Sequence, residues 1–422
     1  MRVNVHDYSG HPFQVQLSRE LAARGHDVLH SYSAQYVTGH GRLTETADDP
    51  ATLRIRAVHS RLPFAKYSPV SRLRFEAAYA DAWLDILDRE PFDLVISCNV
   101  PLFAAARVAR DLRRRGQPWV FWHQDIYSIA IAHEAERKLP APVARVVGRR
   151  VEGIEARMVR DADGVVAITD AMTNQYMRWG LDTPHATVIP NWAPIDDITP
   201  VQRDNAWASD NGLPQAPLRL LYAGTLGRKH NPLLLLQILD ELGRRGREAV
   251  LVVASEGDGA DELALAARGR SDVSIVGYQP AERFSEVLSS ADVVVALLEP
   301  EAGRFSVPSK VLSYLSAGRP IVALMPGDNP AAVDVRSAGG FVAEPSFSGA
   351  IAAADWLTSV AKDPAAFESI GLQARALAEQ RFDIARIADR FEDVLERAAG
   401  RPAQVLPRPE PAVHPREAVA EA

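Results

Sequence analysis

A chain of 422 residues is long for one domain and comfortable for two, and with 47% hydrophobic residues it can bury two sizeable cores. Acidic residues outnumber basic ones 54 to 47, a net charge of -7, which argues against a dedicated nucleic-acid binder. The single cysteine, Cys98, excludes an internal disulfide and a cysteine-based metal site, and its place after an apolar run marks it as a core thiol rather than a nucleophile.

Short apolar run, loop and amphipathic helix then alternate along the chain. Residues 3–5 open as a strand, 13–24 form a helix that Gly25 ends, and 27–31 start the next strand. A helix over 72–87 leads to a buried strand at 93–97 and a helix over 103–114 with a basic end, Arg113, Arg114 and Arg115. The strand at 119–122 is followed at once by His123, then by a long helix over 142–160, a strand at 164–168 and a helix over 171–179. Around 191–216 the rhythm breaks, with Pro194, Pro200 and Pro214 and little periodic apolar content, as in an interdomain linker. It restarts with a strand at 218–222, a helix over 232–243, strands at 248–254 and 273–276, a helix over 280–289 and a strand at 293–297. A helix from Lys310, a strand at 320–324, helices over 331–337 and 349–360, and a long helical stretch over 364–399 broken near Phe382 complete the pattern.

This alternation predicts an α/β protein with two parallel sheets, each covered by helices. The expected division is a first domain over 1–192, a linker over 193–217, a second domain over 218–380, a C-terminal helix over 381–399 packing back on the first domain, and a disordered proline-rich tail over 400–422. The N-terminus lacks the long apolar stretch of a signal peptide, and no segment reaches the ~18 apolar residues of a membrane span. The expected location is the cytoplasm, with attachment to the inner face of a membrane left open. The helix over 142–160 and the Arg113–Arg115 cluster are basic and partly amphipathic in an acidic chain; a membrane-facing surface and a solvated helix face both fit them.

In parallel α/β sheets ligands bind where strands exit into helix N-termini, so the exit loops carry the search for chemistry. The loop 224–230 offers two glycines for close approach, Gly224 and Gly227, with Thr225 between them and Arg228 and Lys229 beside a helix start. A pyrophosphate needs such backbone N–H groups and cations together, although a plain surface turn has the same pattern. The loop 303–310 places Ser306, Ser309 and Lys310 at a second helix start, with Ser309 as N-cap; a plain capped helix accounts for Ser309 but not for Arg304 and Lys310. His123, Gln124 and Asp125 leave the strand at 119–122, where a histidine can donate to a sugar hydroxyl or phosphate or simply be a satisfied polar group. Asp7, Ser9, Gly10 and His11 fill the first strand exit, which lacks a dinucleotide fingerprint; the loop 255–259 is glycine-rich but acidic and lines the cleft at most. No metal-binding motif is present, so none is expected.

Taken in order and spacing, the stretches LSRELAARGHDV, HQDIY, DGVVAIT, VIPNW, LYAGTLG, VGY, ADVVV and VPSKVLSYLSAGRPIV resemble the family 4 retaining glycosyltransferases of the GT-B fold that build bacterial surface polysaccharides. The P-S-K followed by A-G-R-P is similar to the subgroup acting on fucose-type and N-acetylated deoxysugars. The resemblance implies two Rossmann-like domains facing across a cleft, and a hexose-type sugar passed from a UDP or GDP sugar to a glycan or lipid-linked acceptor without an obligatory cofactor or metal. It implies that His123 lies against the donor sugar, that Arg228 and Lys229 hold the diphosphate, and that backbone at Val276, Gly277 and Tyr278 packs on the base. Phe305, Ser306, Val307, Ser309 and Lys310 would cover phosphates and ribose, with His123, Arg228 and Lys310 as the catalytic set. Ser9, Gly10, His11 and Asp125 would face the acceptor. Many relatives carry two glutamates seven residues apart, and an arginine where Thr225 stands; here the glutamate positions fall near Phe305 and at Ser313. Sugar-nucleotide epimerisation on the same fold, or a non-catalytic partner subunit, are the alternatives these departures keep open.

Overall fold

The computed structural model describes residues 1–35, 41–63, 69–214, 218–227, 230–300 and 307–400. The tail expected over 400–422 therefore lies, beyond Gly400, outside the described residues, as do Arg228, Lys229, Arg304, Phe305 and Ser306.

The first lobe runs β1 (Arg2–Asp7), α1 (Pro12–Ala23), β2 (Asp27–Ser33), β3 (Leu53–Val58), α2 (Pro69–Leu87), β4 (Leu94–Cys98), α3 (Leu102–Arg115), β5 (Trp119–His123), α4 (Tyr127–Lys138), α5 (Ala141–Asp161), β6 (Gly164–Ala167), α6 (Asp170–Arg178) and β7 (Ala186–Val188). Its strands form one parallel sheet in the order β3-β2-β1-β4-β5-β6-β7. After α7 (Ala206–Asp210), the second lobe runs β8 (Leu218–Ala223), α8 (Leu233–Arg244), β9 (Ala249–Ala254), α9 (Asp258–Ala266), β10 (Val273–Val276), α10 (Phe284–Ser289), β11 (Val293–Leu297), α11 (Lys310–Ser316), β12 (Ile321–Leu324), α12 (Pro330–Ser337), β13 (Phe341–Ala343) and α13 (Phe347–Val360). Its parallel sheet has the order β10-β9-β8-β11-β12-β13. The chain closes with α14 (Pro364–Arg381) and α15 (Ile384–Ala398).

β9 and β11 are unbroken apolar runs, buried at every residue, because helices cover both faces of the sheet, whereas β1 and β8 at the middle of each sheet also carry polar residues such as Asn4 and Arg219. The edge strands β3, β7 and β13 are absent from the sequence-based pattern because they are short or mixed in polarity, and half-burial leaves them no continuous apolar run. The described stretch 191–214 is packed rather than loose. Trp207 and Ile198 are buried in the second core, and α7 is capped by the Asn205 side chain, which accepts from Ala208 N.

The break near Phe382 has a local cause. Asp383 caps a new helix by accepting from Arg386 N, so α14 ends and α15 sets off in its own direction. Along α15, Ile387, Ala388, Phe391, Val394 and Leu395 recur at helical spacing and are buried in the first lobe's core.

Candidate functional site

In both sheets the strand order reverses between the first and fourth strands, and the exits beside that reversal are where such a sheet binds ligands. In the second lobe this point is the exit of β8. Gly224 takes a left-handed φ of 112°, and its N–H donates to Ala254 O, turning the chain out of the sheet. Behind the turn, Tyr222 Oη donates to Thr225 O at 2.8 Å. Lys310, the first residue of α11, lays its ammonium over the Tyr222 ring, 4.0 Å from the centroid. It donates to Tyr222 Oη and to Thr225 O at 3.3 Å. Burial lowers the Lys310 ammonium from its usual 10.5 to about 7 and pushes the Tyr222 phenol well up, so the tyrosine stays protonated beside it.

The helix that carries Lys310 is fixed independently. Tyr314 Oη accepts from Ala223 N at 3.0 Å and donates to Ala223 O at 2.9 Å, clamping α11 to the last residue of β8. Ser309 sits at the N-cap position but is itself helical, and its hydroxyl makes no cap bond, a correction to its expected capping role. Ser309 is exposed, and Ser313 and Val307 are half-buried; Val307 touches the cores of both lobes.

Two further exits close on the same turn. The Tyr278 hydroxyl meets Thr225 Oγ1 at 2.9 Å, and Tyr278 N donates to Glu256 Oε1 at 3.0 Å. Gly277 leaves room for that carboxylate, since a Cβ there would lie 2.9 Å from Glu256 Oε1. Val276 ends β10 half-buried against the second core, and Tyr278 is 50% exposed. The acidic loop 255–259 thus positions the 276–278 backbone, a role its charge alone did not suggest. Gly259 N donates to Leu226 O at 3.0 Å, tying the β8 and β9 exits together.

In the first lobe the matching reversal lies between β1 and β4. Asp7 is fully buried; its carboxylate accepts from Ser9 Oγ at 3.0 Å, from Asn99 Nδ2 at 2.8 Å and from His11 N. Burial lifts the Asp7 carboxyl to about 6 against the hydrogen bonds from Asn99, His11 and Ser9. Gly10 turns the loop with a φ of 64°, and the His11 ring stacks on Phe13, which touches both lobes' cores. Asn99 itself holds φ 55°, the one positive-φ residue other than glycine among the described residues, and the sequence reading missed it. Asn directly after a strand is the signal that would have found it.

His123 lies inside the first lobe. It is 1% exposed, with Nδ1 on Tyr176 Oη at 2.7 Å and Nε2 on Glu155 Oε1 at 3.2 Å. Both ring nitrogens are engaged inside the lobe. Glu155 also accepts from Tyr127 N and Ser128 N, both at 2.9 Å, at the start of α4. Burial works to raise this carboxyl, but the hydrogen bonds from His123 and Ser128 prevail and hold it below the usual range. Gln124 pairs reciprocally with the Asn191 amide, and Asp125 is exposed at the same edge. Cys98 is buried and its thiol is pushed well up, as a core thiol should be.

Two open parallel sheets with a polar loop cluster at each reversal form a frame on which α/β proteins bind ligands at the strand exits. Residues 11–192 match the model of the glycosyl transferase 4-like domain, and residues 217–357 match that of the glycosyl transferases group 1. The chain belongs to these glycosyltransferases and has the GT-B fold. Among solved structures it is similar to sucrose-phosphate synthase from Thermosynechococcus elongatus, at TM-score 0.70 and 15% identity over 93% of this chain and 98% of that one. The Anabaena protein Alr3699/HepE, solved in complex with UDP and glucose, matches at TM-score 0.64 and 15% identity over 94% and 99% of the two chains. WaaG, a glycosyltransferase involved in lipopolysaccharide biosynthesis, matches at TM-score 0.63 and 16% identity over 93% and 99%. No curated protein matches the chain in sequence. No helix among the described residues is long and apolar enough to cross a membrane.

Proposed function

We propose that the protein transfers a hexose-type sugar, with retention of its anomeric configuration, from a UDP or GDP sugar to a glycan or lipid-linked glycan in surface polysaccharide biosynthesis. One observation carries the donor half of this reading. The Lys310 side chain reaches the exit of β8, its Cε 3.7 Å from where a Gly224 Cβ would be, so a cation and a bare, left-handed backbone share the reversal point of the second sheet. A diphosphate needs that combination. Arg228 and Lys229, next in the sequence, would add charge to it, and Ser306 and Ser309, which precede Lys310 in the sequence, would add donors. Val276, Gly277 and Tyr278 meet the base.

In the transfer, the bond from the anomeric carbon to the diphosphate breaks and the acceptor oxygen replaces it on the same face. The acceptor proton leaves with the diphosphate. Lys310 and Arg228 stabilise the charge that develops on the leaving group. Ser9, Gly10, His11 and Asp125 lie on the acceptor side. His123 acts through Glu155 as a positioning residue for the 124–128 segment. The Anabaena complex with UDP and glucose and the lipopolysaccharide role in WaaG's description support the donor and pathway classes.

The test is a thermal-shift screen of nucleoside diphosphates, since a ligand of the native state raises its melting temperature. UDP or GDP should raise it, and Lys310→Ala should remove the shift while the circular dichroism spectrum stays native. A screen in which no nucleoside diphosphate stabilises the protein sinks the reading.

A further inference from the structure

Alternation along β8 sends Tyr222 to one face of the second sheet and its neighbours Leu221 and Ala223 to the other. Tyr222 shares the core beneath α8 with Leu220, Leu234 and Leu235, whereas Leu221 and Ala223 share theirs with Val311 and Leu315 of α11. Lys310 belongs to α11, yet its ammonium lies on the Tyr222 ring. Its side chain therefore crosses the rim of the sheet, passing Gly224, where Nζ lies 4.0 Å from the position of a Cβ. A lysine at a helix start ordinarily extends its head into water. This one is half-buried and ends on uncharged groups from the far side of the sheet.

One hydroxyl holds it there. Tyr222 Oη accepts from Lys310 Nζ and donates to Thr225 O at 2.8 Å, and Thr225 O also accepts from Nζ at 3.3 Å, so the three atoms close a triangle. The phenol proton is committed to Thr225 O, so toward the lysine the oxygen can only accept. That favours the ammonium over the free amine, against the burial that lowers it. An ammonium has three N–H groups. The triangle engages two, and the third has no partner among the described residues. The Tyr222 ring is met edge-on by His230, 6.2 Å between centroids, whose Nδ1 accepts from Gly227 N at 3.1 Å. A core that needed only volume would be served by phenylalanine at 222, and what the hydroxyl adds is its hold on the lysine and the turn.

We infer that Tyr222 is a positioning residue for donor binding: its hydroxyl holds the Lys310 ammonium at the β8 exit with one N–H left for an oxygen of the donor diphosphate, and fixes the turn at Thr225. This role rests on the donor site proposed for the second lobe, and adds that Lys310 is set in place before the ligand arrives. Ordering a free lysine side chain costs entropy, and a side chain already ordered spares the ligand that cost.

The experiment titrates UDP and GDP calorimetrically into the full chain, into Tyr222→Phe and Lys310→Met, and into the double variant. Tyr222→Phe keeps the ring and its packing, so the circular dichroism spectrum should stay native. It should weaken the nucleoside diphosphate that binds wild type about tenfold. In the Lys310→Met background the same change should weaken it less than about twofold, because the residue it acts through is gone. A hydroxyl that only supports the fold would weaken binding equally in both backgrounds, and an equal loss overturns the inference. Tyr222→Phe that binds like wild type overturns it as well. Either result leaves the donor site standing, whereas wild type that binds neither UDP nor GDP removes the donor site and the role of Tyr222 with it.

Discussion

Lys310 concentrates the electrostatics of the second lobe in one atom. Its ammonium is held by a phenol, an aromatic face and a carbonyl, and among the described residues no carboxylate pairs with it. A bound diphosphate supplies an anion and favours the protonated form. Near pH 8, above the ligand-free value of about 7, binding of UDP should therefore take up a fraction of a proton approaching one. Isothermal calorimetry in buffers of different ionisation enthalpy reads this directly, and Lys310→Met should abolish the uptake and weaken UDP at least tenfold. A buffer-independent enthalpy at pH 8 in wild type would remove the account. The same group gives a stability signature with a definite sign. Its folded value lies below the 10.5 of the free side chain, so from about 7 to 10.5 the unfolded chain binds more protons. Ligand-free stability then rises with pH through that window on account of this group, and Lys310→Met should flatten the rise in urea titrations.

At the scale of elements, the exit loops are rigid because they bond to one another. Gly259 shows this most sharply, since a Cβ there would stand 2.4 Å from Leu226 O, and a backbone atom cannot step aside. Gly259→Ala should cost about 2 kcal/mol in urea denaturation and, by moving the 224–227 turn, weaken UDP by more than the stability loss explains. Unchanged UDP affinity would separate the two loops. In the first lobe, Glu155 joins β5, α4 and α5 through bonds to His123, Tyr127 N and Ser128 N while fully buried. Glu155→Gln turns an amide N–H toward donors and should cost about 3 kcal/mol, seen as a lower urea midpoint at unchanged slope. A loss below 1 kcal/mol would mean the pair is incidental. These elements also mark the limit of the sequence. The central strands and long helices were legible because burial on both faces leaves continuous apolar runs and amphipathic stripes. Gly224 and Lys310 were legible because loops between such runs are where cations and glycines stand out. The bonds of His123 were not, because Glu155 and Tyr176 lie 32 and 53 residues away and only the folded sheet brings them together. The bond of Glu256 was not legible for a related reason: its partner, the Tyr278 backbone, lies 22 residues on.

For the whole molecule, the chain crosses between lobes twice, and the two crossings are joined where Ala193 N donates to Phe382 O at 2.8 Å. Beyond the second crossing, α15 returns to the first lobe. Phe391 is fully buried there, edge-on to Trp122 at 4.8 Å, while Arg24 reaches Asp389 and Glu392 at 2.7 Å and His26 meets Glu392 at 2.8 Å. The first sheet's core is thus completed by residues that follow the entire second lobe in sequence. That arrangement makes the first lobe's stability depend on the far end of the chain, and a single truncation there tests it. Phe391→Ala removes a large aromatic side chain from a site with no exposure and should cost about 3–5 kcal/mol. The loss should fall on one lobe only, because nothing in the second core touches that ring. Native-state hydrogen exchange should show the opening energies of β5 and β6 falling by that amount, with β8, β9 and β11 unchanged. An equal fall in both sheets would instead make the two lobes a single cooperative unit, with α15 a strut between them rather than part of one core.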